Sequence, residues 1–296
     1  MKASVILNCA GRVEEARYGV ASWMAQKCRF DYEVILNLFG KEREMFLGIL
    51  DDPPPQFRVF YDRTCRFFNI SSANNLGAVR ATGDLYVFAN SDMVYAPEFL
   101  ETLVAEFSRS QLHYAICNRV NLTKEETAAL PAPEALVRGD FAAFRGFENT
   151  PKRWQFAISP WVVRKEAFWE IGGFDNAVLC HEDGDLTDRL LHYLRRTGLQ
   201  GSHHVLSNLH GYHLDHPGSS VFDASSHARK ILIPRAARLA ADPESTEDVI
   251  FNGLDEAALL EVTCDHMPQL ELVRNRLRKI PILQRLKKAI AAFKAA

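Results

Sequence analysis

Short apolar runs alternate with longer stretches of helical periodicity through about the first hundred residues. Residues 3–7, 32–38, 57–61 and 84–89 read as strands, and residues 13–26, 41–50, 71–81 and 97–109 as helices. Strands separated by helices build a mostly parallel α/β sheet covered on both faces. In such a sheet ligands collect beyond the carboxyl ends of the strands. Those ends are polar here: Asn8-Cys9-Ala10-Gly11-Arg12 follows the first strand, Asn37 closes the second, and Asn90-Ser91-Asp92 follows the fourth.

From residue 118 the pattern weakens, with Pro131, Pro133 and Gly139 breaking it and Phe141, Phe144 and Phe147 adding aromatic bulk. Residues 118–155 are expected to form an insertion or long loop over the site. Regularity returns with an apolar run over 156–163, a helix over 165–171 stopped by Gly172-Gly173, and an amphipathic helix over 186–196 ending at Gly198. Beyond residue 223 the chain reads as helical, interrupted by Pro234, Pro243, Pro268 and Pro281. The expected organisation is a catalytic domain over 1–222 and a helical C-terminal extension over 223–296.

Composition narrows the function. The 35 Lys+Arg and 37 Asp+Glu leave a net charge of −2, which excludes a general polyanion binder. At 47% apolar and 24% charged, the 296 residues are those of an ordinary globular protein. The six cysteines show no C-x-x-C pair or clustered spacing, which fits a reducing compartment. The N-terminal residues lack a secretory signal, and no apolar run approaches the roughly 18 residues of a membrane span. The expected location is cytoplasmic. Residues 270–296 are basic and amphipathic, so they either lie on anionic lipid at the membrane or pack on the domain or a second subunit.

The most specific signal begins at Asn75-Leu76-Gly77-Ala78-Val79-Arg80-Ala81-Thr82-Gly83-Asp84, which runs into the fourth strand and Asn90-Ser91-Asp92. Further on come Gly172-Gly173-Phe174-Asp175 and Glu182-Asp183-Gly184-Asp185-Leu186. In this order the motifs resemble N-x-G-x-x-x-A-x-G-D, D-x-D (here N-x-D), G-G-F-D and E-D-x-D-L of the family-2 glycosyltransferases, which have the Rossmann-like GT-A fold. The resemblance covers roughly residues 3–217.

The resemblance implies an inverting, metal-dependent transfer of a sugar from a nucleotide-diphosphate sugar to a saccharide or lipid-linked saccharide hydroxyl, in cell-surface polysaccharide synthesis. It makes Asp92 a ligand for Mn2+ or Mg2+, with Asn90 facing the sugar and ribose. It makes Asp183 the general base, with Glu182 beside it at the acceptor. The segment Gly211-Tyr212-His213-Leu214-Asp215-His216-Pro217 resembles the family's metal-binding histidine loop, so His213 or His216 completes the metal site. The physical chemistry agrees: a departing diphosphate needs positive charge, and displacement at a sugar carbon needs one placed base. Bland readings exist beside these. Asp92 can serve as a turn or cap residue, and Glu182, Asp183 and Asp185 can complement a helix N-terminus.

Donor contacts are assigned to Asn8, Cys9, Ala10, Arg12, Asn37, Asn75, Gly77, Arg80, Asn90 and Ser91, and an acceptor contact to Trp161. Asn37 stands where relatives carry an aspartate. An amide can accept from a uracil or thymine N3–H or donate to another base, so UDP or dTDP sugars are favoured and GDP sugars stay open. Because Asn37 and Asn90 replace expected acids, the alternative is a degenerate, non-catalytic sugar-nucleotide-binding or scaffold protein. A nicotinamide dehydrogenase is disfavoured by the absence of G-x-G-x-x-G, and a histidine-rich metal hydrolase by the absence of H-E-x-x-H.

Overall fold

The computed structural model describes residues 1–40, 46, 49–65, 68–144, 147, 154–155, 159–179, 181–216, 233–242, 249–250 and 255–264. The chain opens with β1 (Ala3–Cys9), α1 (Val13–Met24), β2 (Tyr32–Phe39), β3 (Phe57–Asp62), α2 (Ile70–Arg80) and β4 (Leu85–Asn90). It reverses into β5 (Met93–Tyr95), then continues through α3 (Phe99–Ser110), β6 (Tyr114–Asn121), α4 (Lys124–Ala128) and α5 (Pro133–Val137). Next come β7 (Trp154–Gln155), β8 (Trp161–Arg164), α6 (Lys165–Glu170), α7 (Glu182–Arg196) and β9 (His203–His213). Two helices follow, α8 (Ile233–Ala241) and α9 (Glu256–Cys264). The helix expected over 41–50 falls largely outside the described residues, and the basic tail over 270–296 wholly so.

Among the described residues the strands form one sheet in the order β3-β2-β1-β4-β8-β6-β9-β5, with β7 added on β6. The β3-β2-β1-β4 half is entirely parallel. Beyond it, β8 runs antiparallel between β4 and β6, β6 and β9 are parallel, and β5 turns back along β9. Strands β1 and β2 are apolar at nearly every position because both faces are covered. Val5, Leu7, Val34 and Leu36 join a core with Val20 and Trp23 of α1 and Leu103 of α3. Ile6, Ile35, Tyr86 and Phe88 join a second core with Ala78 of α2, Phe168 of α6 and Leu186 and Leu190 of α7. Gly77 lets α2 approach closely, since a Cβ there would overlap the Ile6 side chain of β1.

The segment after β6 is more regular than its composition predicts. Thr123 caps α4 through a reciprocal box with Glu126, and Leu130, Leu136 and Phe144 pack with Val94, Val120 and Tyr212 in an apolar cluster of their own. In the C-terminal part, α9 buries Leu259 and Cys264 against Ala73, Leu76 and Phe39, and the Cys65 and Cys264 sulfurs lie 2.7 Å apart. No described helix is long and apolar enough to cross a membrane.

Candidate active site

Strand register gathers the three polar ends. Asn8 of β1 lies opposite Asn37 of β2 and opposite Asn90 of β4, so three asparagines form one row across the sheet. Two of them bond internally. The Asn37 amide donates to Asn8 Oδ1 (2.7 Å), and the Asn8 amide donates to Asn74 Oδ1 (2.8 Å). Arg80 donates to Asn37 Oδ1 (2.6 Å), pairs with Asp62 in a two-toothed contact and with Glu256 of α9, and stacks over the Phe60 ring. Asn75 is fully buried, and its amide group bonds both the N–H and the C=O of Phe174, holding the Gly-Gly-Phe-Asp turn against α2. Of the other proposed donor contacts, Cys9 is buried on the α1 side, Ala10 packs near Phe39, and the Asn90 N–H donates to Ser159. Ser91 forms the β4–β5 turn against Gly19, whose missing side chain makes room for the Ser91 carbonyl. Trp161 of β8 lies in the core against Phe174 and is 4% exposed.

Immediately after that turn sits Asp92, 7% exposed. Its main-chain carbonyl accepts from Leu214 (3.1 Å), while β5 pairs Met93 with His213. This pairing draws the end of β9 against the end of β4. The carboxylate of Asp92 and the rings of His213 and His216 therefore converge, with one ligand-capable atom of each lying within 4.8 Å of the others. Asp92 Oδ2 is 3.1 Å from His216 Nε2 and 3.7 Å from His213 Nε2, whereas Asp92 Oδ1 is buried with no hydrogen-bond partner among the described residues. Burial alone would raise the pKa of Asp92. The hydrogen bonds from His213 and His216, with the charge of Arg12, outweigh it and hold the carboxyl well below the usual range. One carboxylate, two imidazoles and an unsatisfied buried oxygen fit a divalent cation, and among such cations the nitrogen donors favour a transition metal.

The second carboxylate pair opens α7. His181, in the left-handed conformation (φ 57), turns the chain into Glu182 and Asp183. Burial, then the charge of Asp183, pushes Glu182 up to about 7. Burial also raises Asp183, against the Gly184 N–H that donates to it and the positive charge of Arg119. The acid two residues on behaves differently: Asp185 is buried and binds Arg189 (2.8 Å) and Arg235 of α8. Arg235 also binds Asp175 (2.6 Å), and Arg189 donates to the Ile171 and Gly173 carbonyls. Asp175 and Asp185 thus brace two loops, and the acids at 182 and 183 are presented beside them.

Arg119 of β6 lies within electrostatic reach of both Asp92 and Asp183. Neither Arg119 nor Arg235 carries a motif, so sequence reading missed them. Arg189 had a faint signal in its i,i+4 spacing from Asp185. A cleft of about 410 Å3 is lined by His216 together with Lys124, Thr127 and Ala128 of α4 and Asp215.

Comparison with known proteins adds an independent line. Residues 43–172 match the family model described as glycosyl transferase family 2. The O-antigen biosynthesis protein RfbC of Myxococcus xanthus is 27% identical over 215 residues, which is 64% of this chain and 16% of RfbC; the chain spans about a sixth of that relative's length. The crystal structure of S. aureus TarS 1–349 superposes with a TM-score of 0.52 at 14% identity, covering 83% of this chain and 70% of that one. The same TarS segment in complex with UDP-GlcNAc gives 0.51 at 14% identity, covering 94% and 73%. The sheet, the ordered motifs and these matches agree: residues 43–172 are similar to glycosyl transferase family 2, and the fold is similar to that of the TarS glycosyltransferase structures.

Proposed function

We propose that the protein transfers a sugar from a nucleotide-diphosphate donor to a saccharide or lipid-linked saccharide hydroxyl, with inversion, in the synthesis of a cell-surface glycan. The observation that carries this reading is the convergence of Asp92, His213 and His216 at the end of β4, with Arg119 in electrostatic reach of both Asp92 and Asp183. Asp92, His213 and His216 are the residues that would hold a divalent cation, Mn2+ or Mg2+, with the donor set favouring manganese. When bound, such a cation supplies positive charge against the leaving nucleoside diphosphate.

The remaining work belongs to the chain. Asp183 takes the proton of the acceptor hydroxyl as its oxygen bonds to the anomeric carbon and the bond to the diphosphate oxygen breaks. Burial raises its pKa, which makes the ionised carboxylate a stronger proton acceptor. Glu182 borders the acceptor. Asn90 and Ser91 face the donor, and the Asn8–Asn37 row sets the floor beneath the nucleotide, with Asn37 fixed by Arg80. UDP or dTDP sugars remain the favoured donors.

The test is radiolabelled transfer across a panel of nucleotide sugars, with Asp183→Asn as the informative variant. Transfer is expected to fall at least about 100-fold with donor binding retained. Undiminished transfer in Asp183→Asn sinks the assignment of the base. Donor binding by the wild type with no turnover on any acceptor would make the protein a sugar-nucleotide binder instead.

A further inference from the structure

Arg12 occupies an unusual position. It follows Gly11 (φ 135) and itself adopts the left-handed conformation (φ 50, ψ 50) at the start of α1, a region that non-glycine residues enter at a cost. That turn aims its guanidinium at the Asp92 cluster. One nitrogen, Nη1, lies 2.6 Å from Asp92 Oδ2 and 2.8 Å from His216 Nε2. A guanidinium has only donors. Nε2 of His216 therefore either accepts from Arg12 through its lone pair or, in the other tautomer, donates to Asp92 Oδ2 at 3.1 Å, and the Arg12 contact is a hydrogen bond in the first of these. That lone pair is also what a cation would take from His216.

We infer that Arg12 is a built-in counter-cation of this site, which a metal ion must displace to bind. The inference rests on the metal-site reading above. Occupation is exclusive at His216, because its Nε2 has one lone pair, which can accept from a guanidinium or ligate a metal ion but not both. The arrangement has a clear role in the metal-free protein: Asp92 and His216 have side chains only 10% and 8% exposed, and Arg12 neutralises a carboxylate that would otherwise be buried beside two rings. Arg12 is itself 34% exposed, so its side chain reaches the site from the solvent side rather than from the core. Displaced, it adds positive charge to the same rim at which a diphosphate would lie. Each cation bound must supply the free energy of breaking the Arg12 contacts, and the affinity of the wild type for metal is set below what the three ligands alone would give.

The test is calorimetric titration of Mn2+ alone into the wild type, Arg12→Ala, Arg12→Gln and Asp92→Asn, each checked for folding by circular dichroism. Melting in the presence of a chelator is measured in parallel. Arg12→Ala and Arg12→Gln are expected to bind Mn2+ at least tenfold more tightly than the wild type, to melt lower without metal, and to gain more on adding it; Asp92→Asn is expected to lose binding. If the wild type binds Mn2+ through Asp92 and the Arg12 variants bind it equally or more weakly, the counter-cation role is wrong and the metal site stands. If Mn2+ binds to none of these proteins, or binds undiminished to Asp92→Asn, the metal site itself is wrong and the inference falls with it.

Discussion

A buried carboxylate changes its chemistry according to what surrounds it, and the acids of this site show three outcomes. Asp92 is held charged by imidazole and guanidinium donors, Asp185 is held by two arginines, and Glu182 is pushed toward neutrality by burial and by its neighbour. The last has a measurable consequence. A glutamate that titrates at about 7 in the fold and near 4.5 in the unfolded chain keeps its proton longer when folded. Stability then falls as pH climbs from about 4.5 to 7 and levels off above. Glu182→Gln is expected to remove that slope, so denaturant midpoints of variant and wild type converge near pH 4 and separate in favour of the variant at pH 8. Parallel pH profiles for the two proteins would mean that Glu182 is solvated like any surface acid. Close packing gives a second residue-scale expectation. Gly77→Ala forces a methyl into the Ile6 side chain and should cost about 1–3 kcal/mol in equilibrium unfolding.

Individual elements are joined by charge at both ends of the sheet. At the end opposite the site, Glu33 of β2 accepts from Ser4 of β1, from the N–H and hydroxyl of Thr82, and from Arg58 of β3. Burial pushes its pKa up, but these donors outweigh burial and bring it to about 2. The stabilisation from Glu33 is complete above the ordinary value of 4.5 and is lost as pH falls toward 2. Glu33→Gln, which weakens several charged hydrogen bonds at once, should cost about 2–4 kcal/mol at pH 7 and flatten the acid limb of the unfolding profile. At the other end, Arg235 ties Asp175 to Asp185. Arg235→Met leaves two buried carboxylates short of a partner, with an expected loss of about 3 kcal/mol. Hydrogen exchange should report the loss first in the opening turn of α7. Unchanged protection there would show that Arg189 alone holds the turn.

For the molecule as a whole, the helices after β9 are integral to the site's architecture. Arg235 of α8 braces the loops beside Asp183, and Glu256 of α9 holds Arg80, which fixes Asn37. A chain cut after residue 222, the boundary expected from the helical pattern, should fail to unfold cooperatively in calorimetry, because it exposes the α2 surface covered by Leu259 and takes Arg235 away from Asp175 and Asp185. A cut chain that melts as sharply as the full one would make residues 223–296 a separable appendage. The cleft at His216 is lined on one side by Lys124, Thr127 and Ala128 of α4, so the segment after β6 also shapes the surface beside the site.

Sequence by itself determined the alternation of β1 to β4 with α1, α2 and α3, because apolar periodicity is a local property of the chain. It also placed Asp92, Asp183, His213 and His216 in recognisable motifs. It did not register β5 or β6, short or mixed strands whose existence depends on partners far along the chain. Only the tertiary structure put Asn8, Asn37 and Asn90 in one row, since strand register follows from pairing. Only the tertiary structure separated Asp185 from Asp183, and it did so through Arg235, fifty residues away. The position of Arg12 over Asp92 was decided in the same way. Pattern records which face of an element is buried, whereas the partner of a buried charge is fixed only when distant segments meet.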